Sequence, residues 1–166
     1  MIKIKKHTRA DIKYRLKWLN NPKVNKFLGD NHDQGTTLKK QKEWFVDYEK
    51  ATDKKFFTIC DHDQPIGWMG LSNIDKINKN ANLFIAISED AYRGQGYGKI
   101  ALLWLLDYGF KKLKLHKINL GVTENNIPAV NMYQSVGFEI EGRFKDEQII
   151  KGKYYNSLSM AIFNKR

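Results

Sequence analysis

The residues Arg93-Gly94-Gln95-Gly96-Tyr97-Gly98-Lys99 have the types and spacing needed to hold a polyphosphate. Glycines let successive backbone N–H groups turn toward one centre without Cβ interference, and a helix that follows adds the positive end of its dipole. The apolar run Ala81 to Ser88 before them reads as a strand, and the apolar-periodic stretch after them reads as a helix. A structural strand-to-helix turn uses the same residues, so spacing has to narrow the choice. A P-loop needs a second Gly, then Lys and Ser/Thr, five residues after the first, and Gly94 has Lys99 in that place. The dinucleotide fingerprint starts at Gly94 and Gly96, but its third glycine position again falls on Lys99, and no βαβ unit opens the chain. What remains is Arg-x-x-Gly-x-Gly, read at Arg93, Gly96 and Gly98.

A second pattern follows a strand predicted over Lys117 to Thr123, in Asn126-Ile127-Pro128-Ala129-Val130-Asn131-Met132-Tyr133-Gln134-Ser135-Val136-Gly137-Phe138. It predicts a short helix. Asn125 or Asn126 caps it, Pro128 suits its first turn and Gly137 the left-handed residue that ends it. Ala129, Met132, Tyr133 and Val136 fall on one side, so taken alone Tyr133 reads as a half-buried core residue.

R-x-x-G-x-G followed by N-x-x-A-x-x-x-Y-x-x-x-G-F, in this order and on these elements, resembles the GCN5-related N-acetyltransferases over nearly the whole chain. The resemblance implies acetyl-CoA as acyl donor and direct attack by a primary amine in a ternary complex. It implies that Gly94, Gln95, Gly96, Tyr97, Gly98 and Lys99 hold the pyrophosphate through backbone N–H groups, while Arg93 adds charge or packs the turn. It further implies that Ile85, Ala86 and Ile87 pair their backbone with the pantetheine arm. Asn126 stands where the family bonds the cofactor near the pantetheine, a role that coexists with capping. Tyr133 takes the place of the acid that protonates the departing thiolate. For the general base the family often uses Glu on the strand before the loop or on the strand after the long helix, where this chain has Asn82 and Gly121. Glu89 and Glu124 are nearby carboxylates, and a water relay is the preferred account, with proximity supplying much of the acceleration.

The elements that must position these residues form one domain, residues 1–166, of α/β class with a mixed sheet flanked by helices. Met1 to Lys6 alternates like an edge strand. Thr8-Arg9-Ala10-Asp11, with Thr8 accepting from the first turn, opens a helix through Trp18 that ends near Pro22. A second helix is expected from Thr36 or Thr37 to Tyr48, with Leu38, Trp44, Phe45 and Tyr48 as its apolar side. Strands are expected over Lys55 to Cys60, Pro65 to Ile74 and Leu83 to Ile87, and a last one over Tyr154 to Phe163. The long helix carries Ala101, Leu102, Leu105, Leu106 and Leu113 toward the sheet.

Composition excludes several classes. Cys60 is the single cysteine, so no internal disulfide or thiolate cluster can form, and the four histidines lack metal-ligand spacing. No metal is assigned. No apolar run approaches membrane-spanning length and no leader is evident, so a soluble cytoplasmic protein is expected. The net charge of +11 raises a nucleic-acid reading. Lysines are spread over several elements without a recognition motif, and their field serves to capture phosphate-bearing substrates instead. A homodimer is left open.

The resemblance implies that the N-terminal helices and the loop between them shape the acceptor side, and their segment Trp18 to Leu28 resembles the corresponding stretch of nucleotide-amino-sugar N-acetyltransferases, ribosomal-protein N-terminal acetyltransferases and some aminoglycoside acetyltransferases. A nucleotide-linked 4-amino sugar is the favoured acceptor, because positive charge suits an anionic substrate better than an aminoglycoside or polyamine. Protein N-termini, aminoglycosides and polyamines are the alternatives, and a non-catalytic acyl-CoA sensor or RNA-binding module is the alternative of another class. Trp18, Phe27, Trp68 and Tyr155 are either stacking residues for the acceptor or core.

Overall fold

The computed structural model describes residues 1–25 and 35–164. The order is β1 (Ile2–Lys6), a 3-10 turn (Arg9–Asp11) leading into α1 (Ile12–Leu19), α2 (Pro22–Asn25), α3 (Leu38–Lys50), β2 (Lys55–Asp61), β3 (Gln64–Asp75) and β4 (Asn80–Ile87). There follow α4 (Tyr97–Asp107), β5 (Lys117–Thr123), α5 (Ile127–Ser135), β6 (Glu139–Ile150) and β7 (Lys153–Phe163). The strands make a 7-stranded sheet in the order β1-β2-β3-β4-β5-β7-β6. Its neighbours are antiparallel except for β4 and β5, which run parallel. The expected mixed sheet flanked by helices is therefore what the chain forms.

Alternation along the strands sends side chains to two apolar clusters. Phe57, Ile59, Met69, Leu71, Leu83, Ile118, Leu120 and Met160 pack with Ala101, Leu102, Leu105 and Leu106 of α4 and with Val130 and Tyr133 of α5. Each such large apolar side chain contributes about 1.5–3 kcal/mol by leaving water. Phe56, one residue out of phase, packs instead with Ile12 of α1 and with Phe45 and Tyr48 of α3, joined by Trp44, Trp68 and Phe84.

Some expectations are corrected. The C-terminal region holds two strands rather than one, because β6 is an edge strand with nearly every side chain exposed and so lacks a buried face to impose a period of two. Leu38 is exposed on α3, and Gln41 is buried in its stead, bonded by Arg15 and donating to Thr36. At Thr8 the expected capping box does form: its side chain faces the Asp11 amide, while the carboxylate of Asp11 accepts from the Thr8 amide at 2.9 Å and from its hydroxyl at 3.0 Å. On α5 the expected Ala129, Met132, Tyr133 and Val136 do pack against the core, and buried Val130 joins them. Leu113 lies beyond α4, which widens into a π-turn over Tyr108–Lys112.

Candidate active site

The two central strands part at the point the site requires. β4 and β5 pair only through Asn80↔Lys117, Ala81↔Ile118 and Asn82↔Asn119. Beyond that, β4 stays on β3 as far as Ile87 and β5 stays on β7 as far as Thr123. The backbone edges of Leu83 to Ile87 and Leu120 to Thr123 are thus left unpaired with each other in mid-sheet, where ladder groups demand partners. A slender chain carrying amides, as a pantetheine does, fits such an opening. A bulge helps turn β4 aside: the amides of Ser88 and Glu89 both donate to the Ile66 carbonyl, at 2.8 and 3.1 Å. Gly67 allows this approach, since a Cβ there would lie 2.2 Å from the Ala86 carbonyl oxygen.

At the open end of β4 sits the glycine loop. Gly94 and Gly96 have φ of +73° and +85°, with nothing within 4 Å of where a Cβ would be, so backbone conformation rather than crowding calls for glycine there. Gly96 caps α4, and the first helical bond runs from the Ile100 amide to the Gly96 carbonyl. Among the described residues, no hydrogen bond uses the amides of Gly94, Gln95, Gly96, Tyr97, Gly98 or Lys99. Consecutive free N–H groups at a helix N-terminus are a fit for a diphosphate. Gly98 instead serves packing, with the Met132 thioether 3.2 Å from a Cβ built on it, which brings α5 against the start of α4.

Arg93 packs the turn. Its Nε donates to the Ile87 carbonyl at 3.0 Å and its Nη1 lies 3.1 Å from an Asp90 carboxylate oxygen, whose other oxygen accepts from Lys23 at 2.8 Å. The Ile87 carbonyl is therefore already engaged, which leaves Ile85 and Ala86 as the freer part of the strand for a ligand backbone.

Tyr133 comes from α5 on the β5 side. It is 7 % exposed and meets Phe138 edge-on, ring centroids 5.5 Å apart. Burial pushes its phenol up to about 12, so it stays protonated across the physiological range. Among the described residues no hydrogen bond ties its hydroxyl. Asn126 occupies the N-cap of α5, yet its side chain makes no capping bond. Gly137, with φ of +104°, closes the helix as expected, the Phe138 amide reaching back to the Tyr133 carbonyl.

Neither candidate carboxylate is poised as a base. Glu89 accepts from Trp18 Nε1 at 2.7 Å and from Lys17 at 2.7 and 2.8 Å, and these bonds outweigh its partial burial and hold it below the usual carboxylate range. Glu124 accepts from Arg143 at 2.7 and 2.8 Å and from Asn156 at 2.8 Å, and is likewise held low by Arg143. Asn82 and Gly121 offer no base either, which agrees with proton removal through water.

A cleft of about 430 Å³ opens between α2, the loop before α5 and the β6–β7 turn, lined by Pro22, Lys23, Asn125, Ile150, Lys153 and Tyr155 among others. Trp18 is fully buried and belongs to the core, and Trp68 sandwiches a buried arginine. Phe27, with the rest of Lys26 to Leu28, lies outside the described residues. Among the described residues no cluster of three His, Cys, Asp or Glu side chains is gathered for a metal, and no helix is long and apolar enough to cross a membrane.

A mixed sheet split between parallel β4 and β5 and a glycine loop opening α4 define an acyl-CoA transferase type of fold. Residues 2–139 match the acetyltransferase (GNAT) domain, and the chain belongs to that family. It is 34 % identical over 112 residues to spermidine N(1)-acetyltransferase of Escherichia coli K12, covering 68 % of this chain and 59 % of that protein. The match thus spans less than two thirds of the relative's length. The spermidine N-acetyltransferase of Vibrio cholerae, solved in complex with CoA and spermine, superposes with a TM-score of 0.91 at 26 % identity, covering 98 % of this chain and 95 % of that one. A dodecameric structure of the same Vibrio enzyme superposes with a TM-score of 0.84 at 26 % identity, covering 98 % and 93 %.

Proposed function

We propose that this chain is an acetyl-CoA-dependent N-acetyltransferase acting on a small primary amine, with transfer direct in a ternary complex. The observation that carries this reading is the run of unbonded amides from Gly94 to Lys99 at the mouth of the opening between β4 and β5. Acetyl-CoA supplies the thioester. The loop amides would hold its diphosphate, and the backbone of Ile85 and Ala86 would steady the arm. As the amine nitrogen bonds to the carbonyl carbon and the C–S bond breaks, the Tyr133 hydroxyl gives its proton to the departing sulfur. The amine proton leaves through water, since Glu89 and Glu124 are engaged elsewhere. Cys60 is buried in β2 with its thiol pushed up by burial, so it is a poor acyl carrier.

A polyamine is the acceptor that the relatives support, through the spermidine enzymes of Escherichia coli and Vibrio cholerae. The nucleotide-linked amino sugar favoured from the sequence has no counterpart among them. One observation keeps an anion-bearing amine as a second reading: Lys23, Lys151 and Lys153 line the cleft beside α2 in a chain with net charge +11, a field that repels polycations. Self-association is supported by the dodecameric relative and by exposed Ile140, Phe144, Ile149 and Tyr154 on the β6–β7 edge. The test is free-thiol release from acetyl-CoA with spermidine, spermine, a UDP-linked 4-amino sugar, ribosomal-protein N-terminal peptides and aminoglycosides. Turnover confined to the polyamines supports the first reading; turnover confined to the nucleotide sugar supports the second.

A further inference from the structure

The buried side-chain polar atoms that lack a hydrogen-bond partner among the described residues are His7 Nε2, Arg15 Nη1, Trp68 Nε1 and Ser88 Oγ. Three of them, from the flank of β1, α1 and β3, gather on one face of the sheet. The Arg15 guanidinium lies 3.5 Å from the Trp44 ring centroid and 4.1 Å from that of Trp68, sandwiched between the two indoles. The His7 ring centroid is 6.3 Å from that of Trp68.

This arrangement is costly as it stands. Arg15 is 7 % exposed and among the described residues no carboxylate pairs with it; its Nε bonds only the neutral Gln41 side chain. An unpaired buried donor costs about 1–3 kcal/mol, and a desolvated charge more. Two indole faces return part of that, about 2 kcal/mol for a desolvated cation–π contact, but they satisfy no N–H. Burial pulls the guanidinium down to about 9, which still leaves it charged at neutral pH. An apolar residue of the same bulk would fill the space between Trp44 and Trp68 without any of these costs. The charge and the convergent donors have a use if an anion meets them, and Trp44 and Trp68 are only half-buried, which gives access.

We propose that Arg15, with the indole N–H of Trp68, forms a binding site for a small oxyanion, a carboxylate or phosphate group. His7 is neutral there, since burial lowers it to about 4, and its Nε2 can turn donor by choice of tautomer when Thr58 donates to Nδ1. The oxyanion is either a free ion or the anionic group of an amine substrate. The site stands independently of acetyl transfer, because its first readout is binding.

The test is titration of the full-length protein with formate, acetate and inorganic phosphate against chloride at constant ionic strength, followed by tryptophan fluorescence and by Tm. A saturable fluorescence change and a rise in Tm with an oxyanion, but not with chloride, are expected. Arg15→Leu should abolish both, and Trp68→Phe, which keeps a ring and loses the N–H, should weaken the oxyanion by about tenfold, the loss of one charge-assisted hydrogen bond. Arg15→Lys and Trp68→Phe carry the test if Arg15→Leu does not fold. A second arm compares spermidine with β-alanine and glucosamine 6-phosphate as acceptors. A KM rise in Trp68→Phe confined to the anion-bearing amines assigns the oxyanion to the substrate, and an equal KM for all three assigns it to a free ion. Responses that are unsaturable, shared with chloride, or unchanged in both Arg15→Lys and Trp68→Phe would overturn the proposal.

Discussion

Arg93 donates from Nε to the carbonyl of Ile87 at 3.0 Å, tying the first residue of the glycine-loop motif to the end of the strand that borders the sheet opening. Its Nη1 lies 3.1 Å from an Asp90 carboxylate oxygen. Arg93→Met should therefore weaken acetyl-CoA on the order of tenfold, as expected for one hydrogen bond to a charged group. Arg93→Lys should not restore it, because an ammonium cannot reproduce the fork geometry. Isothermal titration checks both, and the salt dependence of binding should match wild type.

Tyr133→Phe should lower kcat by about a hundredfold to ten-thousandfold, the usual contribution of a general acid. Its Tm should change little, since among the described residues the hydroxyl has no partner to lose. Acetyl-CoA affinity should hold as well. A kcat within threefold of wild type would remove Tyr133 from the chemistry.

Glu89→Gln and Glu124→Gln discriminate anchors from bases. Each carboxylate is held by cations, so each amide should keep kcat within about fivefold at its pH optimum, whereas loss of a true base costs about a hundredfold or more. The basic limb of the pH profile should be unmoved in both. Glu89→Gln should lower Tm, because Lys17 and Trp18 both lose a charged partner.

Gly96→Ala tests the loop conformation. A side chain at φ +85° costs about 1–2 kcal/mol, or roughly 2–8 °C in Tm for a chain of this size. The residue lies within the run of free amides, so acetyl-CoA binding should fall further than stability does.

His7 gives the fold an acid limit. Its ordinary value of 6.5 falls to about 4 on folding, chiefly through burial, so its contribution is intact above pH 6.5 and is lost as pH drops toward 4. The linkage amounts to about 3 kcal/mol over that window. Urea unfolding at pH 7, 5.5 and 4.5 should show the decline, and His7→Gln should flatten it.

Legibility in the sequence followed burial. The strand Phe56 to Cys60 is buried on both faces, as its continuous run announces, and the α4 face of Ala101, Leu102, Leu105 and Leu106 is buried on the side its pattern announces, so both could be read. β6 could not, because an edge strand solvated on both faces carries no period. Gly94 and Gly96 were legible through their left-handed backbone, a local property. For Arg93 the sequence left two roles, adding charge or packing the turn, since the choice depends on where the Ile87 carbonyl lies after the sheet forms. The parting of β4 and β5 after Asn82 and Asn119 is a matter of register between strands far apart in sequence, and no local pattern encodes it. The buried Arg15 was missed for a related reason. It sits at a core position of α1 where periodicity predicts an apolar residue, and that mismatch was the available signal.

The central claim is acetyl transfer to an amine at the opening between β4 and β5, with Tyr133 as acid. The most direct measurement is CoA release from acetyl-CoA by the purified chain with spermidine, product mass recorded, beside Tyr133→Phe. The account predicts spermidine-dependent release, an N-acetylated product and near-complete loss in the variant with acetyl-CoA binding retained. Tight acetyl-CoA binding with no acetylated product from spermidine or from any other amine in the panel would contradict it.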